Sequence, residues 1–146
     1  MTLRSLRVLQ LNVARSNVRM HAVLNSLTDF DILLLQEPWY GRIGVARSST
    51  DRNGTDILGT VSNPAWEAFF PDTTADGARF RVATFVRRGI QHLAVRARPD
   101  IISSPDIMAT SFQYGNISFI LINVYNAGPG QDATSIHRLC DSEFDP

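Results

Sequence analysis

The chain has 146 residues, a usual size for one domain. Its hydrophobic fraction of 44% and charged fraction of 19% allow a packed core and exclude disorder on grounds of composition. The single cysteine, Cys140, excludes an intramolecular disulfide and a cysteine-based metal cluster, and it favours an intracellular, reducing compartment. No apolar run is long enough to predict a membrane-spanning helix.

The basic side chains are unevenly distributed along the chain. All fourteen are arginine, and thirteen of them lie in residues 1–98, where eight acids leave a net charge of +5. Residues 99–146 carry a net charge of −5. An arginine-rich half can contact phosphates, although for any single arginine a solvated surface is the stronger interpretation.

The first third of the sequence predicts a parallel crossover unit. Residues 6–13 have the pattern of a buried strand, and residues 17–27 have helical spacing with Ser16 or Asn17 as the cap. Residues 32–35 form a short unbroken apolar run, typical of a strand covered on both faces. Strand, helix and strand in this order favour a parallel pairing of the two strands.

The middle of the sequence predicts a long loop followed by short strands. Residues 38–64 are rich in glycine and serine and show little periodicity, which favours a loop. Short strands are predicted at residues 65–70, 79–86 and 93–97. His21 is expected on the apolar face of the first helix in a structural role.

The last third contains a hairpin signature. Two strand patterns, at residues 106–114 and 117–125, are separated by Gly115 and Asn116, and glycine tolerates the positive φ that a two-residue turn requires. A helix is predicted from residue 132 or 134 to about residue 142. A crossover unit combined with antiparallel strands predicts an α+β fold built from sheets covered by helices.

Polar side chains end three of the apolar strand patterns. The motifs are LQLN ending at Asn12, LLQEP containing Glu37, and INVYNAG containing Tyr125 and Asn126. In sequence, order and separation these motifs resemble the endonuclease/exonuclease/phosphatase family, and most closely its abasic-endonuclease-like domain in non-LTR retrotransposons. The resemblance implies a four-layer α/β/β/α sandwich. Residues 1–146 would be the N-terminal portion of that domain, so the sandwich is expected to be partial, with its second half missing.

The resemblance also implies a divalent-metal site. Glu37 would be the metal ligand, with Mg²⁺ or Mn²⁺ as the cofactor, and Asn12 would hold the metal or a phosphate oxygen through its amide. Tyr125 would contact the scissile phosphate, and Asn126 would order the loop. A metal bound by a carboxylate polarises a phosphoryl oxygen, and Mg²⁺ needs only one or two protein carboxylates because it keeps several waters.

Two family motifs cannot be placed in the sequence. The family has an Asp-x-Asn motif after a later apolar strand, but Asp51-Arg52-Asn53 lies in the glycine-rich stretch and follows no predicted strand. The family also has a Ser-Asp-His motif, which none of the three histidines provides. We therefore expect weak or absent nuclease activity for this polypeptide alone, because no group is available to orient or deprotonate the attacking water.

The resemblance favours a retrotransposon-type DNA endonuclease that acts beside a reverse transcriptase domain in a longer polyprotein. DNA would be its partner, no membrane contact is expected, and a functional product would be nuclear. Two alternatives remain open. One is a non-catalytic, decayed fragment that binds metal or nucleic acid weakly, and the other is a member of the phosphatase branch of the same family.

Overall fold

A computed structural model describes residues 2–46, 54–71 and 79–126. One helix and nine strands lie within these ranges. In chain order they are β1 (Val8–Asn12), α1 (Asn17–Ser26), β2 (Ile32–Gln36), β3 (Gly41–Ala46), β4 (Thr55–Gly59), β5 (Trp66–Phe69), β6 (Val82–Arg87), β7 (Leu93–Ala97), β8 (Ile107–Tyr114) and β9 (Ile117–Val124).

The strands form two larger sheets and one separate hairpin. The main sheet has the order β1-β2-β6-β5, in which β1 and β2 are parallel and the other neighbours are antiparallel. The second sheet is antiparallel with the order β7-β8-β9, and β3 pairs with β4 in the hairpin. The described part of the chain is therefore α+β, and the predicted parallel unit and the predicted hairpin at Gly115 are both confirmed.

Local capping defines both ends of α1. The hydroxyl oxygen of Ser16 accepts a hydrogen bond from the N–H of Arg19 at 3.1 Å, which satisfies one of the free donors of the first turn. At the other end, the Arg87 guanidinium donates to the carbonyl oxygens of Leu27 (2.9 Å) and Phe30 (3.0 Å). A side chain of β6 thereby fixes the helix end against the main sheet.

The main sheet lies between α1 and the second sheet. Alternate residues of β2 face opposite sides, so that Leu33 and Leu35 pack toward α1 while Ile32 and Leu34 pack toward the second sheet. Trp66 is buried on the α1 side, where its indole N–H donates to the Leu24 carbonyl at 2.9 Å. Three layers are therefore present in the described ranges, and the fourth layer of the expected sandwich stays a prediction.

The prediction of a loop at residues 38–64 is wrong, because this stretch contains β3 and β4. The glycines of β3 and β4 interrupt the alternation of apolar and polar residues that predicts a strand. They also allow close packing against the hairpin. Gly41 pairs with Gly59 across the hairpin, and a Cβ at Gly41 would lie 2.7 Å from the Trp39 ring. Glycine at this position therefore lets the indole pack against the hairpin backbone.

The structure departs from the sequence prediction at His21 and does not describe two other predicted segments. His21 is exposed rather than placed on the buried face of α1, where Met20 and Leu24 form the contact with the sheet. The helix predicted near residues 132–142 and the Asp51-Arg52-Asn53 triplet lie outside the described residues. No helix in the described ranges is both long and apolar enough to cross a membrane.

Candidate functional site

Glu37 follows β2 directly and has a left-handed backbone with φ of 50°. Its N–H donates to the Arg81 carbonyl at 2.9 Å, and its own carbonyl accepts from the Arg15 N–H at 2.7 Å. Ala14 and Arg15 have φ values of 53° and 57°. A left-handed non-glycine residue costs about 1–3 kcal/mol, and such residues cluster at functional sites. Three of the four in the described part of the chain meet at this one corner.

Tyr125 reaches the same corner from β9. Its N–H donates to the carbonyl of Asp106 at 2.8 Å, and its hydroxyl faces the Glu37 carboxylate, toward which it can donate a hydrogen bond. This hydrogen bond, partial burial and the negative charge of Glu37 raise the pKa of the Tyr125 hydroxyl, while the charges of Arg81 and Arg15 act in the opposite direction. The structure thus brings two of the sequence-predicted site residues, 88 positions apart in sequence, to the same corner.

A buried amide pair aligns the two strands that end at Glu37 and Tyr125. Asn123 is 1% exposed, and its side-chain oxygen accepts a hydrogen bond from the Gln36 amide at 2.6 Å. Its own amide donates to the carbonyls of Ala83 (3.0 Å) and Leu35 (3.3 Å) in the main sheet. Gln36 lies one residue before Glu37, and Asn123 lies two residues before Tyr125. The hydrogen bond between the two amides therefore fixes the position of Glu37 relative to Tyr125.

The other two sequence-predicted residues lie at the edge of this corner. Asn12 pairs with Gln36 in the β1–β2 ladder, which places its backbone beside the strand end that carries Glu37. Its side chain is exposed, and its amide oxygen accepts from the N–H of Ala14 at 2.8 Å. Asn126 is exposed and follows Tyr125. The roles assigned to both residues stay predictions.

Arginines that sequence reasoning did not single out surround Glu37. A recess of about 180 Å³ is lined by Arg15, Arg79 and Arg81 together with Glu37. The Arg81 guanidinium pairs with the carboxylate of Asp106, which is 1% exposed, and lies over the Tyr125 ring at 5.5 Å. The alternation of arginine and phenylalanine at residues 79–81 was a usable signal, since it places two arginines on one side of the chain entering β6.

Aromatic rings form one wall of the recess. The Tyr40 and Phe80 rings meet edge to face at 5.1 Å, and Phe70 stacks on Phe80 at 4.8 Å. Tyr40 and Phe80 both line the recess beside Glu37. Ring pairs of this kind stabilise packing beyond the area they bury, so the charged groups face a wall of packed aromatic side chains.

The oxygen ligands available for a divalent ion are few. Within residues 2–46, 54–71 and 79–126, no three acidic, histidine or cysteine side chains are grouped so that they could hold a metal. Glu37 supplies one carboxylate, and the Asn12 amide oxygen retains a second lone pair beyond its bond to Ala14. Mg²⁺ in proteins usually takes one or two carboxylates and completes its shell with water and phosphate oxygens, so Glu37 is the carboxylate available to it at this corner.

Comparison with known proteins gives a likeness of fold. A scan with family models and a search of curated proteins each find no match. Among solved structures, the chain is similar to one described as the endonuclease domain of TRAS1, a telomere-specific non-LTR retrotransposon, with a TM-score of 0.59 and 16% sequence identity. The match covers 93% of this chain and 51% of the other, so this chain spans about half the length of that structure. The described residues therefore adopt a distantly endonuclease-like α+β fold.

Proposed function

We propose that the chain is part of a metal-dependent phosphodiester hydrolase of the DNA endonuclease type. The observation that carries the proposal is the meeting of two strand ends beside an arginine-lined recess, where the Tyr125 hydroxyl faces the Glu37 carboxylate. The likeness of fold to a retrotransposon endonuclease domain supports the same proposal. A carboxylate, a phenol and guanidinium groups together suit a phosphate ester and a divalent ion.

The proposed roles follow from the chemistry of each side chain. Mg²⁺ or Mn²⁺, when bound, would polarise the phosphoryl oxygen and stabilise the leaving oxygen. Glu37 would hold the ion, and Asn12 would contribute its amide oxygen to the ion or its amide N–H to a phosphate oxygen. Tyr125 would donate a hydrogen bond from its hydroxyl to the phosphate oxygen on which negative charge develops. Asn126 would order the loop after β9.

The biological setting is part of the proposal. The chain would belong to the endonuclease/exonuclease/phosphatase family, with residues 1–146 forming the N-terminal portion of a four-layer sandwich. Its substrate would be DNA, and it would act in the nucleus within a retrotransposon product that also carries a reverse transcriptase domain. The likeness of fold to the endonuclease domain of a non-LTR retrotransposon supports this setting.

Activity of this polypeptide alone is expected to be weak or absent. The sequence has no Ser-Asp-His motif and no Asp-x-Asn motif after a predicted strand, the two motifs to which the family resemblance assigns the orientation and deprotonation of the attacking water. Catalytic groups that act as a unit lose most of their effect when one member is missing.

Metal binding tests the site without depending on turnover. Mn²⁺ broadens NMR signals of nearby nuclei, and we expect broadening of the Glu37 and Tyr125 signals that Glu37→Gln abolishes. Glu67→Gln is the matched control, because Glu67 is an exposed acid on β5. Broadening that survives Glu37→Gln would contradict the assignment of Glu37 as the ligand.

A plasmid-nicking assay tests the reaction itself. We expect slow or undetectable nicking of supercoiled plasmid in Mg²⁺ or Mn²⁺, with any residual rate lost in Glu37→Gln and retained in Glu67→Gln. Nicking at rates typical of complete nucleases would contradict the predicted weakness. Metal-independent DNA binding without nicking would instead favour the non-catalytic alternative.

A further inference from the structure

The recess beside Glu37 carries more positive than negative charge. Arg15, Arg79 and Arg81 face one lining carboxylate, that of Glu37, and Asp106 behind Arg81 offsets one more charge. Among the described residues, neither Arg15 nor Arg79 is paired with a carboxylate. Counted over the described residues, the local balance is about +1, which favours the binding of an anion.

Hydrogen bonds fix the backbone conformation around Arg15. Arg15 has a left-handed φ of 57°, and its N–H is bonded to the Glu37 carbonyl at 2.7 Å. The following residue, Ser16, donates its N–H to the carbonyl of Val13 at 3.0 Å. This turn, which is hydrogen-bonded to Glu37, holds the base of the Arg15 side chain beside the recess. Its left-handed backbone is costly, and such residues cluster at functional sites.

We propose that this recess is a phosphate site in which Arg15 and Arg79 bind the anion directly, without a metal. The identity of the bound group as the scissile phosphate rests on the proposed function. The binding of a phosphate as such is argued from the arginines. Guanidinium forks match the oxygens of a phosphate group. A volume of about 180 Å³ corresponds to about six water molecules, which leaves room for one phosphate group and part of its hydration shell.

Glu37 makes the metal and the phosphate interdependent at this site. Without metal, its carboxylate repels the phosphate that the arginines attract. With metal bound, the same carboxylate is neutralised, and a phosphate oxygen can complete the metal's shell. Phosphate and Mg²⁺ should therefore each raise the affinity for the other by the same factor, as reciprocal linkage requires.

The experiment is an NMR titration of the whole chain with inorganic phosphate, performed in EDTA and again in Mg²⁺. In EDTA we expect saturable shifts at Arg15, Arg79 and Tyr125. Arg15→Gln and Arg79→Gln should each weaken binding by about tenfold, since each removes a hydrogen bond to a charged group. Arg96→Gln on the exposed face of β7 is the control and should leave binding unchanged.

Glu37→Gln separates an arginine site from a metal site. It should tighten phosphate binding in EDTA, because a repulsive charge is removed, and it should abolish the enhancement by Mg²⁺. Phosphate binding that requires Mg²⁺, or that is unchanged in Arg15→Gln and Arg79→Gln, would overturn the proposal. Failure of the proposed function gives a different result, in which phosphate binds in EDTA through the arginines but the Mn²⁺ broadening at Glu37 is missing. Thermal unfolding of each variant confirms that it is folded.

Discussion

Gln36 and Asn123 are joined by a hydrogen bond of 2.6 Å between the two sheets, although 87 residues separate them in sequence. Both side chains are buried, with exposures of 6% and 1%. Buried amides are costly unless they are bonded, so this pair and its contacts to the Leu35 and Ala83 carbonyls allow few alternative registers between β2 and β9. The position of Tyr125 relative to Glu37 follows from that register.

Asn123→Asp should destabilise the protein in a pH-dependent way. The new carboxylate keeps the shape and accepts from Gln36, but its oxygen faces the Leu35 and Ala83 carbonyls, where the wild-type amide donates. We expect a loss of about 3 kcal/mol in the free energy of unfolding at pH 7.5.

The loss from Asn123→Asp should shrink toward pH 4. Burial raises the pKa of the introduced carboxyl in the folded state, so the folded protein binds the extra proton and is favoured as the pH falls. Chemical denaturation of wild type and variant at both pH values measures the difference. An equal loss at the two values would show that the amide does not donate to these carbonyls.

The titration of Tyr125 should report its contact with Glu37. The carboxylate accepts from the hydroxyl and repels the phenolate, which raises the pKa of Tyr125 above its ordinary value. Glu37→Gln should lower that pKa. Arg15→Gln should raise it, because the charge of Arg15 favours the phenolate.

Site-specific measurement is needed because the chain has three tyrosines. NMR of chains labelled at the tyrosine ζ carbon resolves each hydroxyl, and Tyr114, which donates to the Arg4 carbonyl at 2.9 Å, is the internal control. A Tyr125 pKa that is insensitive to both substitutions would mean that the two strand ends do not meet in solution.

Local sequence signals were sufficient for the elements that depend on local physics. Periodicity and a cap predicted at Ser16 or Asn17 identified α1, whose cap is Ser16, and Gly115, with φ of 61°, identified the β8–β9 turn. The β3–β4 hairpin was missed because its strands contain glycine at residues 41, 44 and 59, where cross-strand pairing rather than side-chain pattern forms the strand.

The site was only partly readable from sequence. Motif resemblance assigned Glu37 and Tyr125 to one site, as metal ligand and phosphate contact, whereas the positions of Arg15, Arg79 and Arg81 depend on how the two sheets pack. The left-handed backbone at Glu37 could not be foreseen, since non-glycine residues rarely adopt it and only the surrounding hydrogen bonds stabilise it. The arginines come together only through tertiary packing, so no local stretch of sequence predicts that they line one recess.

Thr110→Val should stabilise the protein. Thr110 is fully buried in β8, and its hydroxyl has no hydrogen-bond partner within the described ranges. Valine has nearly the same shape and removes the cost of burying the hydroxyl, so we expect a gain of about 1 kcal/mol in the free energy of unfolding. Thr84→Val is the contrasting variant, because the Thr84 hydroxyl is bonded to the Asn123 amide at 3.4 Å. A loss of stability in Thr110→Val would reveal a partner for that hydroxyl, such as a buried water.

Asp31 should contribute stability that is lost in acid. Burial by itself raises the pKa of Asp31, but hydrogen bonds from the Arg4 guanidinium and the Arg7 N–H, with the charges of Arg4 and Arg87, outweigh burial and lower the pKa overall. Because the folded pKa lies below the unfolded one, the contribution is complete above the unfolded pKa of about 3.9 and disappears as the pH falls through the folded pKa. Asp31→Asn should cost about 1–2 kcal/mol at pH 6, a figure reduced because the Arg4 side chain is 56% exposed. Urea denaturation from pH 6 to pH 3 should show the two proteins converging at the acid end, and a constant difference across that range would show that the Asp31 charge does not stabilise the fold.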